Sequence, residues 1–97
     1  MVDEVPLHRC RLVVVGQVQR VGFRWFVRER ARRFGLSGWV QNREDGSVEV
    51  CVSGPEAIIA QLTRNLSVGP KGAVVSAVRE AAYLSVDPLQ FTFAIHR

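Results

Sequence analysis

Between Gly16 and Arg24 the chain reads Gly-Gln-Val-Gln-Arg-Val-Gly-Phe-Arg, with the apolar run Leu12-Val13-Val14-Val15 before it and helical periodicity after it. A strand, a glycine-bracketed loop and a helix in that order build a cradle for an anion. Backbone N–H groups of the loop and of the first helical turn point one way, and the helix dipole adds partial positive charge there. Arg24 contributes a planar guanidinium that can hold two phosphate oxygens at once. The chemistry this arrangement suits is the binding of a phosphoryl group.

The elements that must position these residues follow from periodicity. Residues 8–15 are apolar and β-branched, and predict a strand. Phe23, Val27, Ala31 and Phe34 recur on one helical face, with arginines opposite and Gly35 as a stop, which predicts a helix over 22–34. Residues 36–42 approach as a second strand. Asp45-Gly46 turns the chain into the alternating segment 47–52, a hairpin signal. Pro55 opens a second helix, whose Ile58, Leu62 and Leu66 share a face, and a loop follows from Ser67 to Gly72. Val74–Tyr83 and Phe91–Ile95 read as the last strands, with a turn at Asp87-Pro88 between them. The order βαββαββ, with two right-handed crossovers, predicts a ferredoxin-like α/β sandwich. In it a mostly antiparallel sheet carries both helices on one face.

The chain has 97 residues, 47% of them hydrophobic and 23% charged, which suits one globular domain spanning 1–97. Residues 1–7 read as a flexible N-terminal extension. No apolar run approaches the roughly 20 residues of a membrane helix, and the N-terminus lacks a signal-peptide layout. The expectation is a cytoplasmic monomer without membrane contact. The net charge of +4 favours an anionic partner, either a small phosphorylated molecule or nucleic acid. RNA binding on this fold needs aromatic side chains on the open face of the central strands. The outward positions there are Arg9, Arg11, Val13, Glu49 and Cys51, none aromatic, so nucleic acid is not the expected partner. The same alternation puts Cys10 with Leu12 and Val14 on the covered face and Cys51 on the other, too far apart for a disulfide. No cluster with metal-ligand spacing occurs.

The stretch Gly16–Arg24 resembles the phosphate-loop signature of the acylphosphatases, Gly-x-Val-Gln-Gly-Val-x-Phe-Arg. A second block, Gly38-Trp39-Val40-Gln41-Asn42-Arg43-Glu44-Asp45-Gly46-Ser47-Val48-Glu49-Val50, and the closing Phe91-Thr92-Phe93-Ala94-Ile95 are similar to the same family. The resemblance covers about residues 8–97. It implies hydrolysis of the carboxyl–phosphate bond of acyl phosphates to a carboxylate and inorganic phosphate, without metal or cofactor. It implies that Arg24 binds the phosphoryl group, that Asn42 orients the attacking water, and that the backbone of Gln17, Val18, Gln19, Arg20 and Val21 cradles the phosphate oxygens. The residues agree with that chemistry. A carboxylate is a good leaving group, so fixed amides and a guanidinium suffice where a strong acid is missing.

Arg20 departs from the family pattern, which has glycine there. A positive φ at Arg20 would cost on the order of 1 kcal/mol, whereas a permissive backbone would let the side chain add positive potential at the entrance. Trp25 and Trp39 read as packing residues, His8 and His96 as surface or structural, and Cys51 as filler on the open face. Two other readings compete: a non-catalytic phosphate- or RNA-binding ferredoxin-like module, and the acylphosphatase-like domain of hydrogenase-maturation carbamoyltransferases.

Overall fold

The computed structural model describes residues 7–82 and 92–96. The elements are β1 (Leu7–Gln17), α1 (Phe23–Arg33), β2 (Ser37–Asn42), β3 (Val48–Pro55), α2 (Glu56–Val68), β4 (Val74–Ala81) and β5 (Phe93–His96). Residues 1–6, Tyr83 and the turn expected at Asp87-Pro88 lie outside the described residues. The strands form one sheet in the order β4-β1-β3-β2-β5. Three pairings are antiparallel and β2–β5 is parallel. This is the α+β ferredoxin-like arrangement expected from the βαββαββ order. No described helix is long and apolar enough to cross a membrane.

The core forms between the helices and one face of the sheet. Leu12 and Val14 of β1, Val48, Val50 and Val52 of β3, and Val40 of β2 meet Phe23, Val27 and Ala31 of α1 and Ile59, Leu62 and Leu66 of α2. The alternation of the strands dictates this, since every second residue points to the covered face. The stripe on α2 is centred differently from the expectation. Ile59 is the buried residue and Ile58 only packs alongside. The spacing 59, 62, 66 serves a helix face as well as 58, 62, 66, and the packing of α2 on the sheet uses the first. α2 also runs on through Ser67 to Val68, where a loop was expected. The Ser67 hydroxyl donates back to the Thr63 carbonyl within the helix.

α1 ends as Gly35 requires. Gly35 has φ +70°, its N–H donates to the Arg32 carbonyl and the Leu36 N–H to the Ala31 carbonyl, a Schellman pattern that left-handed glycine makes cheap. The arginines of this helix are not only a solvated face. Arg32 Nε donates to the Phe93 carbonyl at 3.2 Å and fastens α1 to β5. Arg30 stacks over the Phe26 ring.

The open face of the sheet is polar but not loosely solvated. Arg11 Nε donates to Glu49 Oε2, and Gln41 Nε2 donates to Glu49 Oε1 at 2.8 Å. These residues come from three neighbouring strands, β1, β2 and β3. Trp39 stacks on the His96 ring at 5.0 Å, so both sit where structural roles were expected. Cys51 is nearly as buried as the core, although it lies on the open face. Neither cysteine is in a disulfide. Cys10 pairs with Val52 and Cys51 with Arg11, so the thiols leave opposite faces. Burial, and then the Glu80 carboxylate, push the Cys10 thiol up to about 11, which makes it a poor nucleophile.

Burial pushes the Glu49 carboxyl up, but the hydrogen bonds from Gln41 and Arg11 and the charges of Arg11 and Arg43 outweigh it, and the net shift is below the ordinary 4.5. A carboxyl held lower in the folded chain stabilises the fold above pH 4.5, and that stability is lost as pH falls through the folded value. In denaturant titrations, Glu49→Gln should be less stable by about 1–3 kcal/mol at neutral pH, and the gap should narrow steadily on acidification. A gap constant from neutral to acid pH would show that the ionised form carries no stability.

Candidate active site

The loop is shorter than the motif suggests, because β1 continues to Gln17. A bulge between Val15 and Gly16 shifts the register so that Gly16 pairs with Val75 and Gln17 with Val74 of β4. Gly16 has φ +136°, and a Cβ there would be driven into the Val74 carbonyl oxygen. Only glycine permits that approach. The loop proper is therefore 18–22. It is anchored from below by Val18, whose side chain is fully buried, and by Val21 against the core.

The start of α1 is left uncapped. Gly22, at φ +74°, occupies the N-cap position without a side-chain cap, and no acidic residue stands in the first turn. The Phe26 N–H donates to the Gly22 carbonyl at 3.0 Å, which begins the helical ladder. The N–H groups of Phe23, Arg24 and Trp25 precede that first bond and have no partner within the helix. A Ser or Asp at the cap would have claimed one of them. Glycine leaves them to an external acceptor, at the positive end of the helix dipole.

Arg24 leaves the first turn of α1 and its Nη1 donates to the His96 carbonyl at 3.2 Å. The bond spans 72 positions of sequence. It orients the guanidinium, and among the described residues no other bond claims its remaining N–H groups. Asn42 is the last residue of β2. It pairs with Val48, which pairs in turn with Val14, so its side chain stands on the covered side of the sheet, at the end from which the loop departs. Beyond it the hairpin closes through Asp45, which accepts the Ser47 N–H at 3.0 Å and the Ser47 hydroxyl. Those two bonds, the side-chain one first, hold the Asp45 carboxyl below its ordinary value.

Arg20, Arg24 and Asn42 line one cavity of about 180 Å³, together with Val18, Gly22, Phe23, Trp25 and Ile95. Four of the expected site residues, Val18, Arg20, Arg24 and Asn42, thus meet. Gln17, Gln19 and Val21 do not line the cavity. Gln17 is strand, Val21 packs inward, and the Gln19 side chain turns to the β2–β3 hairpin, where its Nε2 donates to the carbonyls of Arg43 at 2.7 Å and Ser47 at 2.9 Å. Trp25 corrects the sequence reading. It is 58% exposed and borders the cavity instead of packing in the core. The helical period would have shown this, since residue 25 is off the Phe23–Val27 face.

The family model for Acylphosphatase matches residues 10–95. The chain is 46% identical to the acylphosphatase of Bifidobacterium longum over 97 residues, the full length of both. The chain belongs to the acylphosphatase family. It is 50% identical over 68 residues to the acylphosphatase of Koribacter versatilis, of which it spans 62%. A solved acylphosphatase structure from Coxiella burnetii superposes with a TM-score of 0.82 at 34% identity, over 93% of each chain.

Against the family's usual glycine, Arg20 adopts φ +64°, the left-handed region, and is the only non-glycine residue with positive φ among those described. The loop keeps the glycine conformation and the arginine bears the strain. Its side chain is exposed beside the cavity and adds positive potential there. Arg20→Gly should raise stability by about 1 kcal/mol in chemical denaturation, by relieving the left-handed backbone. It should alter the affinity for inorganic phosphate only modestly. A loss of stability would show that the Arg20 side chain more than offsets its backbone strain.

Proposed function

We propose that the cavity between the 18–22 loop, Arg24 and Asn42 is where this acylphosphatase-family enzyme hydrolyses the carboxyl–phosphate bond of acyl phosphates. Arg24 and the unclaimed N–H groups of the loop and first helical turn hold the phosphoryl oxygens. Asn42 orients the water. The observation that carries this reading is the convergence of Arg24, Asn42 and an uncapped helix start on one small cavity.

Each part has work that its chemistry suits. Negative charge spreads over the three equatorial oxygens as the phosphoryl group transfers, and fixed amides and a guanidinium stabilise it without having to reorganise. The Asn42 amide both accepts and donates, so its oxygen can accept a hydrogen bond from the water and hold a water lone pair toward phosphorus. Water oxygen bonds to phosphorus, the bond from phosphorus to the acyl oxygen breaks, and its electron pair leaves on the carboxylate. The described lining offers only arginines as ionisable groups. The water's proton therefore passes to a phosphate oxygen of the substrate. The products are a carboxylate and inorganic phosphate.

The enzyme of this reading is a cytoplasmic monomer, and two cysteines kept as thiols suit that compartment. The partner is a small acyl phosphate and not nucleic acid.

Benzoyl phosphate hydrolysis tests the assignment. Arg24→Ala and Asn42→Ala should each lower kcat on the order of 10²–10³-fold, the scale on which removing one aligned donor acts. Arg24→Ala should also weaken inhibition by inorganic phosphate, whereas Asn42→Ala should leave it nearly unchanged. Full activity in either variant would overturn its role. The kcat–pH profile should carry no histidine-dependent limb near about 6.5. One that vanishes in His96→Gln would place the proton on the protein.

A further inference from the structure

The Gln19 side chain belongs to the phosphate loop, yet it makes its bonds elsewhere. Its Nε2 donates to the Arg43 carbonyl at 2.7 Å and to the Ser47 carbonyl at 2.9 Å. Two acceptors flank the same atom, so both amide protons are spent and the orientation of the amide is set by its surroundings. The first acceptor belongs to the residue directly after Asn42. The second already accepts the Arg43 N–H at 2.9 Å, the bond that closes the β2–β3 hairpin next to Asn42. Gln19 is half-buried, while Asn42 is exposed at the end of its strand. A strand end next to a turn is where backbone freedom is greatest. The β1–β3 pairing ends at Val14–Val48, before the loop begins, and beyond it the two Gln19 bonds join the loop to the hairpin across 24 and 28 positions of sequence.

We infer that Gln19 is a positioning residue: its amide clamps the phosphate loop to the hairpin and so fixes where Asn42 holds water relative to the bound phosphoryl group. The inference rests on the proposed role of Asn42. The Gln19 side chain touches no substrate. It acts on the attack geometry through Arg43 and Asn42, and leaves phosphate binding to Arg24 and the amides. Its loss therefore lowers kcat and spares phosphate affinity, since a small misplacement of the nucleophile costs rate before it costs binding.

A double-mutant cycle with benzoyl phosphate reads this directly. Gln19→Met keeps the length of the side chain and removes both donors. It should lower kcat on the order of tenfold, within the range over which residues in contact couple, and leave the inhibition constant of inorganic phosphate within about twofold. In an Asn42→Ala background, assayed at high enzyme concentration, the same change should lower kcat no further. Gln19→Ala should give the same coupling and supplies the cycle if Gln19→Met does not fold. An equal kcat loss in both backgrounds, an unchanged kcat in the single variant, or a matching loss of phosphate inhibition would overturn the inference. In each of those outcomes a slow Asn42→Ala enzyme would leave the role of Asn42 standing. An Asn42→Ala enzyme with wild-type kcat would remove both.

Discussion

The register of β3 between β1 and β2 is the constraint on which the rest of the molecule depends. Val14, Val48 and Asn42 lie in one cross-strand row, and that row puts the end of β2 beside the place where β1 gives way to the loop. Residues two apart on a strand share a face and residues one apart do not, so a slip of one residue would turn Asn42 to the open face and Val48 to solvent. The buried Val48, Val50 and Val52 forbid that slip from the core side. Glu49 forbids it from the other, because its carboxylate satisfies Arg11 and Gln41 only in this alignment. One strand is thus fixed from both faces, and the face and the end of the sheet at which Asn42 stands are inherited from it.

The loop stands on that frame by steric rules, not by packing alone. Gly16 lets β4 approach and Gly22 leaves the helix start open to an acceptor. The two glycines do different work, one by lacking a Cβ against a carbonyl and one by lacking a capping side chain. Arg20 shows the cost of the same geometry for a residue with a Cβ. Its strain sits in the segment that must keep its amides aligned, a common place for proteins to hold unfavourable backbone.

Much of this was legible in the residues. The period of Phe23, Val27 and Ala31 placed α1, Gly35 ended it, and Asp45-Gly46 turned the hairpin, because each of those signals is local. The alternation of β1 and β3 put the two thiols on opposite faces for the same reason. What escaped the sequence depended on pairings distant along the chain. β1 runs past Val15 only because β4 follows it through a bulge, and Ile59 rather than Ile58 is the residue that α2 buries against the sheet. The burial of Cys51 on a face read as open reflects the neighbouring strands, not its own segment. For the proposed site, the residue types and their motif order pointed to Arg24 and Asn42, which line one cavity. The motif did not show that the Gln19 side chain turns away from the cavity, since backbone and side chain of one residue can serve different masters.

Arg24 is braced by the His96 carbonyl, and Arg32 of the same helix by that of Phe93. The arginine of the cradle is therefore made early in the chain and oriented by its final strand. As the polypeptide emerges during synthesis, the loop, α1, the hairpin and most of the core are present before β5 exists. β5 then pairs in parallel with β2, a contact across a long stretch of sequence that forms slowly. A nascent chain without that strand has its cradle but no backing for the guanidinium. The orientation of Arg24 is in this sense conditional on β5, complete only when that strand has docked beside β2.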